Sequence, residues 1–196
     1  SCGKLVICSE IPVFKEYLNP ELVKFRKNLF GNKEYDFVLF FNSRNIRRKQ
    51  IPDTILAFRH FVDTLPKEQA KKCCLLLHTQ RVDDNGTDLP AVQQMLFGNN
   101  SKYNIKFSTG KYPSNIMNLL YNSVDGVTLV SSNEGWGLSL TEALLAGNPI
   151  IANVTGGMQD QMRFEFEDGT WIDFDADFPS NHRGTYKKHG EWAFPV

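Results

Sequence analysis

Short apolar segments alternate with helical patterns along most of this chain, and this alternation constrains the fold more than any other feature. The apolar segments are bounded by turn residues, which is typical of short buried strands. They cover residues 36–42, 73–79, 105–108, 126–130 and 150–153. Helical patterns cover residues 52–64, 90–97, 115–123 and 138–146 between them. The alternation predicts an α/β domain with a doubly wound, mainly parallel sheet and right-handed crossovers.

Two helix ends are marked by specific residues. We expect Ser114 to cap the helix over residues 115–123, because its hydroxyl can accept a hydrogen bond from a free backbone N–H. Gly147, with Pro149 shortly beyond it, is a strong stop signal for the helix over residues 138–146.

A sheet of this Rossmann-like, three-layer type places its ligand site beyond the carboxyl ends of its strands. In the common strand order 3-2-1-4-5, the chain reverses direction between the first and fourth strands, and a crevice forms at that point. The loops that meet there would be residues 43–50 and 131–137. The first loop carries Arg44 and Lys49 and the second carries Glu134, so the topology is expected to bring cations together with a glycine-rich turn.

The string EGWGLSLTEALLAG, residues 134–147, has one glutamate on each side of a glycine turn that opens a helix. Gly135 and Gly137 allow the backbone to pass close to a ligand. A helix that begins just after them points free N–H groups and the positive end of its dipole at an anion. A phosphorylated sugar would suit such a site.

Charge and hydropathy exclude several classes of function. The chain has 22 Lys and Arg residues and 22 Asp and Glu residues, so no overall field attracts nucleic acid or an anionic membrane. No apolar run approaches the roughly 18–20 residues of a membrane span, and the N-terminal residues lack the features of a signal peptide. We therefore expect a soluble protein without a transmembrane segment or a nucleic-acid partner.

The cysteines indicate a reduced, cytoplasmic protein rather than a zinc protein. No Cys or His group has the spacing of a zinc site, and Cys73 and Cys74 are expected to pack as small apolar residues. The four cysteines are Cys2, Cys8, Cys73 and Cys74. The only acidic cluster that could suggest a divalent ion lies in a loop that we expect to be solvated, so we predict no bound metal. That cluster comprises Asp83, Asp84 and Asp88.

Residues 36–160 closely resemble the C-terminal, nucleotide-sugar-binding half of retaining GT-B glycosyltransferases of the family-four type. In that family an Arg is followed five positions later by a Lys, and Arg44 and Lys49 have this spacing. The resemblance implies that this pair holds the donor diphosphate. The paired glutamates of the family, separated by seven residues, match Glu134, implied beside the donor sugar, and Glu142, implied at the ribose hydroxyls.

The resemblance also implies further, less specific assignments around the implied donor site. Amides near Gly137 and Leu138 would approach the phosphates, and Gly135 and Trp136 belong to the same turn. Two further pairs are implied at the border of the pocket. They are Lys111 and Tyr112, which border the base on loop 109–114, and Gly156 and Gly157, which form a flanking loop.

The residue types suit the chemistry that the resemblance implies. Glycosyl transfer breaks the bond between the anomeric carbon and a diphosphate, so negative charge grows on the leaving group while the sugar becomes cationic in character. Two fixed cations and a helix N-terminus can stabilise that leaving group without a divalent ion or any other cofactor. An ionised carboxylate can accept two hydrogen bonds from a vicinal diol, as expected of Glu142. The sequence does not decide whether Glu134 acts as a nucleophile or an electrostatic stabiliser.

Several of these residues also have simpler interpretations. Ser139 and Glu142 fit a capping box, in which the glutamate would only cap its own helix. Arg47 and Arg48 are expected to be solvated residues of a basic loop. Trp136 could equally stack on a sugar or fill the turn. The remaining residues favour structural roles, with Gly156 and Gly157 as turn formers and His60 and His78 within the fold.

The sequence predicts three segments. Residues 1–35 would be an interdomain linker with a strand over 5–8 and a helix over 20–30, and residues 36–165 would be the nucleotide-sugar-binding domain. Residues 166–196 would be an irregular, truncated extension that includes a turn at Asp168 and Gly169. The expected partners are a nucleotide sugar and a missing N-terminal acceptor domain. Alternatives are a non-catalytic nucleotide-binding or scaffold domain, or another GT-B enzyme such as a phosphorylase or epimerase.

Overall fold

The structure is a computed structural model that describes residues 20–31, 33–172 and 188–196. The strands are β1 (Phe37–Asn42), β2 (Cys73–His78), β3 (Asn104–Ser108), β4 (Gly126–Leu129), β5 (Ile150–Ala152) and β6 (Ala193–Pro195). The α-helices are α1 (Pro20–Phe30), α2 (Ile51–Asp63), α3 (Lys67–Ala70), α4 (Leu89–Phe97), α5 (Ser114–Asn122), α6 (Leu138–Leu145) and α7 (Met158–Met162). A short 3₁₀ helix covers Arg47–Lys49.

The strands form one sheet in the order β3-β2-β1-β4-β5-β6, and every neighbouring pair is parallel. The predicted order of the first five strands and the doubly wound α/β class are therefore confirmed. β6 was not predicted, because it lies in the segment that was expected to be irregular. It pairs with β5 in the register Ile150↔Ala193.

The centre of the sheet is apolar on both faces, as expected of a parallel sheet covered by helices. In β2, every residue from Cys73 to Leu77 is buried. Burial raises the pKa of the Cys73 thiol to about 11 and that of Cys74 to about 12. Both thiols therefore stay protonated at neutral pH and pack as small apolar groups, as predicted.

The helix boundaries confirm one predicted signal and correct two others. Gly147 has φ +76° just after α6, in agreement with its role as a stop signal. Ser114, in contrast, is the first residue of α5 rather than its cap, and no side chain caps that helix. Asp88 is not merely solvated, because its carboxylate caps α4 by accepting from the Ala91 N–H at 3.0 Å.

The two ends of the described chain pack on the domain. The predicted helix over residues 20–30 is present as α1, which packs against α5 and buries Leu22 and Phe30. The predicted turn at Asp168 and Gly169 is also present, with an isolated bridge between Glu165 and Trp171. The strand expected over residues 5–8 lies outside the described residues. None of the helices in the described ranges has the length and hydropathy that a bilayer crossing needs.

Candidate functional site

The carboxyl edge of the sheet brings the loop after β1 against the loop after β4. The carbonyl of Arg48 accepts from the Ser132 N–H at 2.8 Å and from the Ser131 hydroxyl at 3.0 Å. Asn153, just after β5, donates to the carbonyls of Val130 and Ser131 at 3.0 Å each. Three neighbouring strands thus fix the main chain of the crevice that the strand order predicts.

Glu134 is the centre of this crevice. Its side chain is only 8% exposed, and its Oε1 contacts both Lys49 Nζ and Arg48 Nη1, the latter at 2.9 Å. Arg48 Nη1 also donates to the carbonyl of Asn133 at 2.5 Å. Arg48 is therefore not a solvated residue of a basic loop, as the sequence suggested, but an ion-pair partner of Glu134.

Two opposing effects act on the ionisation of Glu134. Burial raises the pKa of its carboxyl, whereas hydrogen bonds from Lys49, Arg48 and Ser131 lower it. The hydrogen bonds and charges prevail, so the pKa lies below its ordinary value. Glu134 is therefore ionised at neutral pH and neutralises one of the two cations beside it.

Arg44 has a different partner from the other two basic residues. Its guanidinium, 59% exposed, contacts the Asp83 carboxylate at 2.9 Å. The Asp83 side chain is 6% exposed, so the loop that carries it is not merely solvated, which corrects the prediction from sequence. Buried Asn45 fixes the same region by donating to the Thr87 carbonyl at 2.7 Å. Arg44 thus joins the loop after β1 to the loop after β2.

The glycine turn before α6 has the conformation that the sequence predicted. Gly137 has φ +86° and precedes the first helical residue, Leu138, so the first amides of the eight-residue helix α6 have no partner within the helix. Gly156 and Gly157 pack directly beneath this turn. A Cβ on Gly156 would lie 2.1 Å from the carbonyl oxygen of Glu134, and one on Gly157 would lie 2.3 Å from that of Gly135.

A hydrogen-bonded chain from α7 holds the same turn. Gln161 Nε2 donates to the Trp136 carbonyl at 2.5 Å, and Gln161 Oε1 accepts from the Thr141 hydroxyl at 3.0 Å. Trp136 Nε1 in turn donates to Thr141 Oγ1 at 2.8 Å. Trp136 is 45% exposed, so its Nε1 is bound to α6 while part of its ring lies at the surface.

Glu142 is bound to the body of the domain rather than to its own helix N-terminus. Its Oε2 accepts from the Tyr121 hydroxyl at 2.6 Å, and that hydroxyl accepts from Asn42 Nδ2 at 2.9 Å. Because the N-cap of α6 is Gly137 and no side chain caps the helix, the capping-box interpretation is wrong. Burial and the nearby carboxylate raise the pKa of Tyr121 far above its ordinary value, so its hydroxyl keeps its proton and orients Glu142.

Lys111 and Tyr112 lie on the loop after β3. Lys111 is exposed, while the Tyr112 ring stacks on His78 at a centroid distance of 5.2 Å with 23° between the planes. The His78 Nδ1 lies 3.0 Å from the Ser108 hydroxyl, which joins the ends of β2 and β3. Tyr112 is thus a flat, partly exposed ring on the same edge of the sheet as Glu134.

The partly buried position of His78 predicts a pH dependence of stability. Burial lowers the pKa of its imidazole, so below the ordinary histidine pKa of about 6.5 the unfolded chain binds a proton that the folded chain does not. We expect the free energy of unfolding to fall between about pH 7 and pH 5, and His78→Gln to flatten this fall. Urea titrations at several pH values measure it, with His60→Gln, at an exposed position, as the control. If the free energy of unfolding fell equally with pH in the unchanged protein and both variants, His78 would not be the source of the pH dependence.

The sequence did not reveal Asn42, Tyr121 or Gln161 as residues of this region. Asn42 had a usable signal, because it is a polar residue at the end of an apolar strand. Tyr121 and Gln161 are ordinary members of helical patterns, and their partners come from other elements. Among the described residues there is no group of three or more His, Cys, Asp or Glu side chains arranged to hold a metal ion.

The family profile described as "Glycosyl transferases group 1" matches residues 23–177 of this chain. Among curated protein sequences, none matches significantly. Solved structures share the fold. WaaG, a glycosyltransferase involved in lipopolysaccharide biosynthesis, is 20% identical with a TM-score of 0.53, over 71% of this chain and 34% of its own.

Two further structures with this fold are of proteins bound to a nucleotide or a nucleotide-sugar analogue. A trehalose-6-phosphate protein from E. coli, bound with UDP-2-fluoro glucose, is 15% identical with a TM-score of 0.56, over 76% of this chain and 36% of its own. The catalytic domain of starch synthase IV from Arabidopsis thaliana, bound to ADP and acarbose, is 17% identical with a TM-score of 0.54, over 96% of this chain and 33% of its own. The chain thus spans about a third of the length of these proteins. It belongs to the group 1 glycosyltransferase family and has the fold of the C-terminal domain of a GT-B glycosyltransferase.

Proposed function

We propose that this chain is the donor-binding domain of a retaining glycosyltransferase and that it binds a nucleoside diphosphate sugar at the carboxyl edge between β1 and β4. The observation that carries the proposal is the meeting of Lys49 and Arg48 with buried Glu134, three residues before the N-terminal turn of α6, which no side chain caps. The resemblance of residues 36–160 to the nucleotide-sugar-binding half of such enzymes supports the same function.

The charges at this edge favour a diphosphate. Lys49 and Arg48 share a single carboxylate, so the cluster keeps one excess positive charge. At the N-terminus of α6, the amides of Leu138 and Ser139 have no hydrogen-bond partner among the described residues, whereas the amide of Leu140 donates to the Gly137 carbonyl at 2.9 Å. The same helix end adds the positive end of a helix dipole. A diphosphate leaving group gains negative charge as the glycosidic bond breaks, and these groups stabilise it without a divalent cation.

Glu142 supplies a second recognition point. Its Oε2 accepts from the Tyr121 hydroxyl, and among the described residues Oε1 has no hydrogen-bond donor, so it can accept from a vicinal diol such as that of ribose. Tyr112, on the neighbouring loop, offers a ring face to a base. We assign the nucleoside to the surface between Glu142 and Tyr112, and the donor sugar to a position beside Glu134.

Transfer itself requires an acceptor site, which we place in a further domain. The matched structures are about three times as long as the part that corresponds to this chain, which supports a second domain. We propose residues 1–35 as the connection to that domain, 36–165 as the donor domain and 166–196 as an extension of it. By itself the chain should bind the donor but transfer little sugar.

Binding of a nucleoside diphosphate tests this function directly. We expect UDP, GDP or ADP to bind with a dissociation constant of about 1 mM or tighter, because the cations and helix N-terminus are already assembled. Isothermal titration calorimetry at low salt measures the affinity, and the unphosphorylated nucleosides serve as controls. If none of the three nucleotides binds in the millimolar range, the donor site is wrong.

A further inference from the structure

We propose that Arg48 binds the diphosphate of the donor together with Lys49, as a cation that the family's Arg and Lys spacing does not predict. This inference rests on the proposed function and assigns a further residue to the same site. It starts from the position of Arg48 in the 3₁₀ helix that follows β1.

The main chain of Arg48 is fixed at the crevice. Its carbonyl accepts three hydrogen bonds from the loop after β4, from the Ser132 N–H at 2.8 Å, the Ser131 hydroxyl at 3.0 Å and the Ser132 hydroxyl at 3.4 Å. These bonds do not involve the side chain, so they persist when the side chain is replaced. The Cα of Arg48 is therefore held next to the segment that leads into α6.

The guanidinium is both directed and accessible. Within the described ranges it makes its contacts through Nη1, to Glu134 Oε1 at 2.9 Å and to the Asn133 carbonyl at 2.5 Å. The side chain is still 46% exposed, so Nη2 and Nε can donate to another acceptor. A guanidinium presents donors in a planar fork that matches phosphate oxygens, which makes it suited to a diphosphate.

Charge also favours an anion at this point. The Glu134 carboxylate compensates one positive charge, whereas Lys49 and Arg48 carry two. A diphosphate therefore attracts the guanidinium without forcing Lys49 to give up its contact with Glu134. The side chain of Arg48 can rotate while its backbone stays fixed, so the guanidinium can contact both Glu134 and the ligand.

Arg47 provides a matched control. It is the preceding residue of the same 3₁₀ helix, carries the same charge and is exposed. Its backbone N–H donates to the Asn85 carbonyl at 3.0 Å, in the loop after β2 rather than the loop after β4. The described ion pairs of Glu134 are with Arg48 and Lys49, and no side-chain contact of Arg47 is present among the described residues. A change at Arg47 therefore removes the same charge from the same turn and keeps those ion pairs.

The experiment compares Arg48→Gln with Arg47→Gln. For whichever of UDP, GDP and ADP binds the unchanged chain most tightly, calorimetry should show affinity about tenfold weaker in R48Q and less than about twofold weaker in R47Q. R48K should recover part of the affinity, because it keeps the charge but loses the fork. Thermal unfolding followed by circular dichroism confirms that each variant is folded.

Binding of the unphosphorylated nucleoside separates contact from distortion of the loop. Ligand-observed NMR should find the same nucleoside affinity in R48Q as in the unchanged chain. If R48Q lost affinity equally for nucleoside and nucleotide, Arg48 would not contact the diphosphate. Equal nucleotide affinities of R48Q and R47Q would lead to the same conclusion. In both cases the proposed function would stand. If the unchanged chain binds no nucleotide, the proposed function fails and this inference with it.

Discussion

Glu134→Gln is expected to lower glycosyl transfer by about a hundredfold or more while the nucleoside diphosphate binds at least as tightly as before. The two effects have different causes. Transfer falls because the amide no longer stabilises positive charge on the sugar in the transition state. Binding persists or improves because Lys49 and Arg48, both contacts of Glu134, lose the carboxylate that competes with the phosphates for them.

Two measurements on the same variant separate these effects. Transfer is assayed with the chain joined to the further, acceptor-binding domain that we propose, and nucleotide affinity is measured by calorimetry on the chain alone. Glu165→Gln is the control, because Glu165 pairs with Arg163 in a different part of the chain at 3.1 Å. Unchanged transfer in E134Q would contradict a catalytic role of Glu134, and a large loss of nucleotide binding would contradict the competition between Glu134 and the ligand.

Gly156→Ala is expected to destabilise the fold by about 4 kcal/mol or more and to abolish nucleotide binding. Its φ is +51°, and the new Cβ would lie 2.1 Å from the carbonyl oxygen of Glu134. Because that oxygen belongs to the main chain, the clash cannot be relieved by a rotamer change. The segment from Glu134 to Gly137 would have to move, and the cations and helix amides would no longer converge.

Gly147→Ala measures the cost of a positive φ without the steric clash. Gly147 also has a positive φ, +76°, but a Cβ there would meet nothing within 4 Å. We expect a loss of about 1–2 kcal/mol, the cost of a left-handed conformation in an L-residue, with unchanged nucleotide affinity. Urea unfolding of both variants measures the difference. If G156A were no less stable than G147A, close packing of the two loops would not be what requires the glycine.

The sheet and the edge at which Lys49 meets Glu134 could be predicted because they depend on local patterns. Strand periodicity, helix signals and the rules for crossovers were enough to place Lys49 and Glu134 on one edge. The Gly137 turn was predictable for the same reason, since glycine adopts the positive φ of such a turn without strain. Each of these inferences needs only residues that are close in sequence, together with one general rule of topology.

The pairing of side chains could not be predicted, because each pair joins distant segments. Arg48 and Arg47 are adjacent basic residues in the same loop, and only the fold shows that Arg48 faces Glu134. The same holds for Glu142 and Tyr121, which come from two helices. β6 was missed for a different reason. It lies in a Gly- and Pro-containing segment that was expected to be irregular, and Pro195 within it disfavours a strand, so only its pairing with β5 reveals it.

β6 also has a consequence for self-association. An open edge of a parallel sheet presents unpaired N–H and C=O groups to any other extended chain, and Ala193–Pro195 covers that edge of β5. The new edge is short, and Pro195 contributes no N–H to it. Within the described part of the chain, this edge of the sheet is therefore formed by a short strand that offers few free backbone groups to another extended chain.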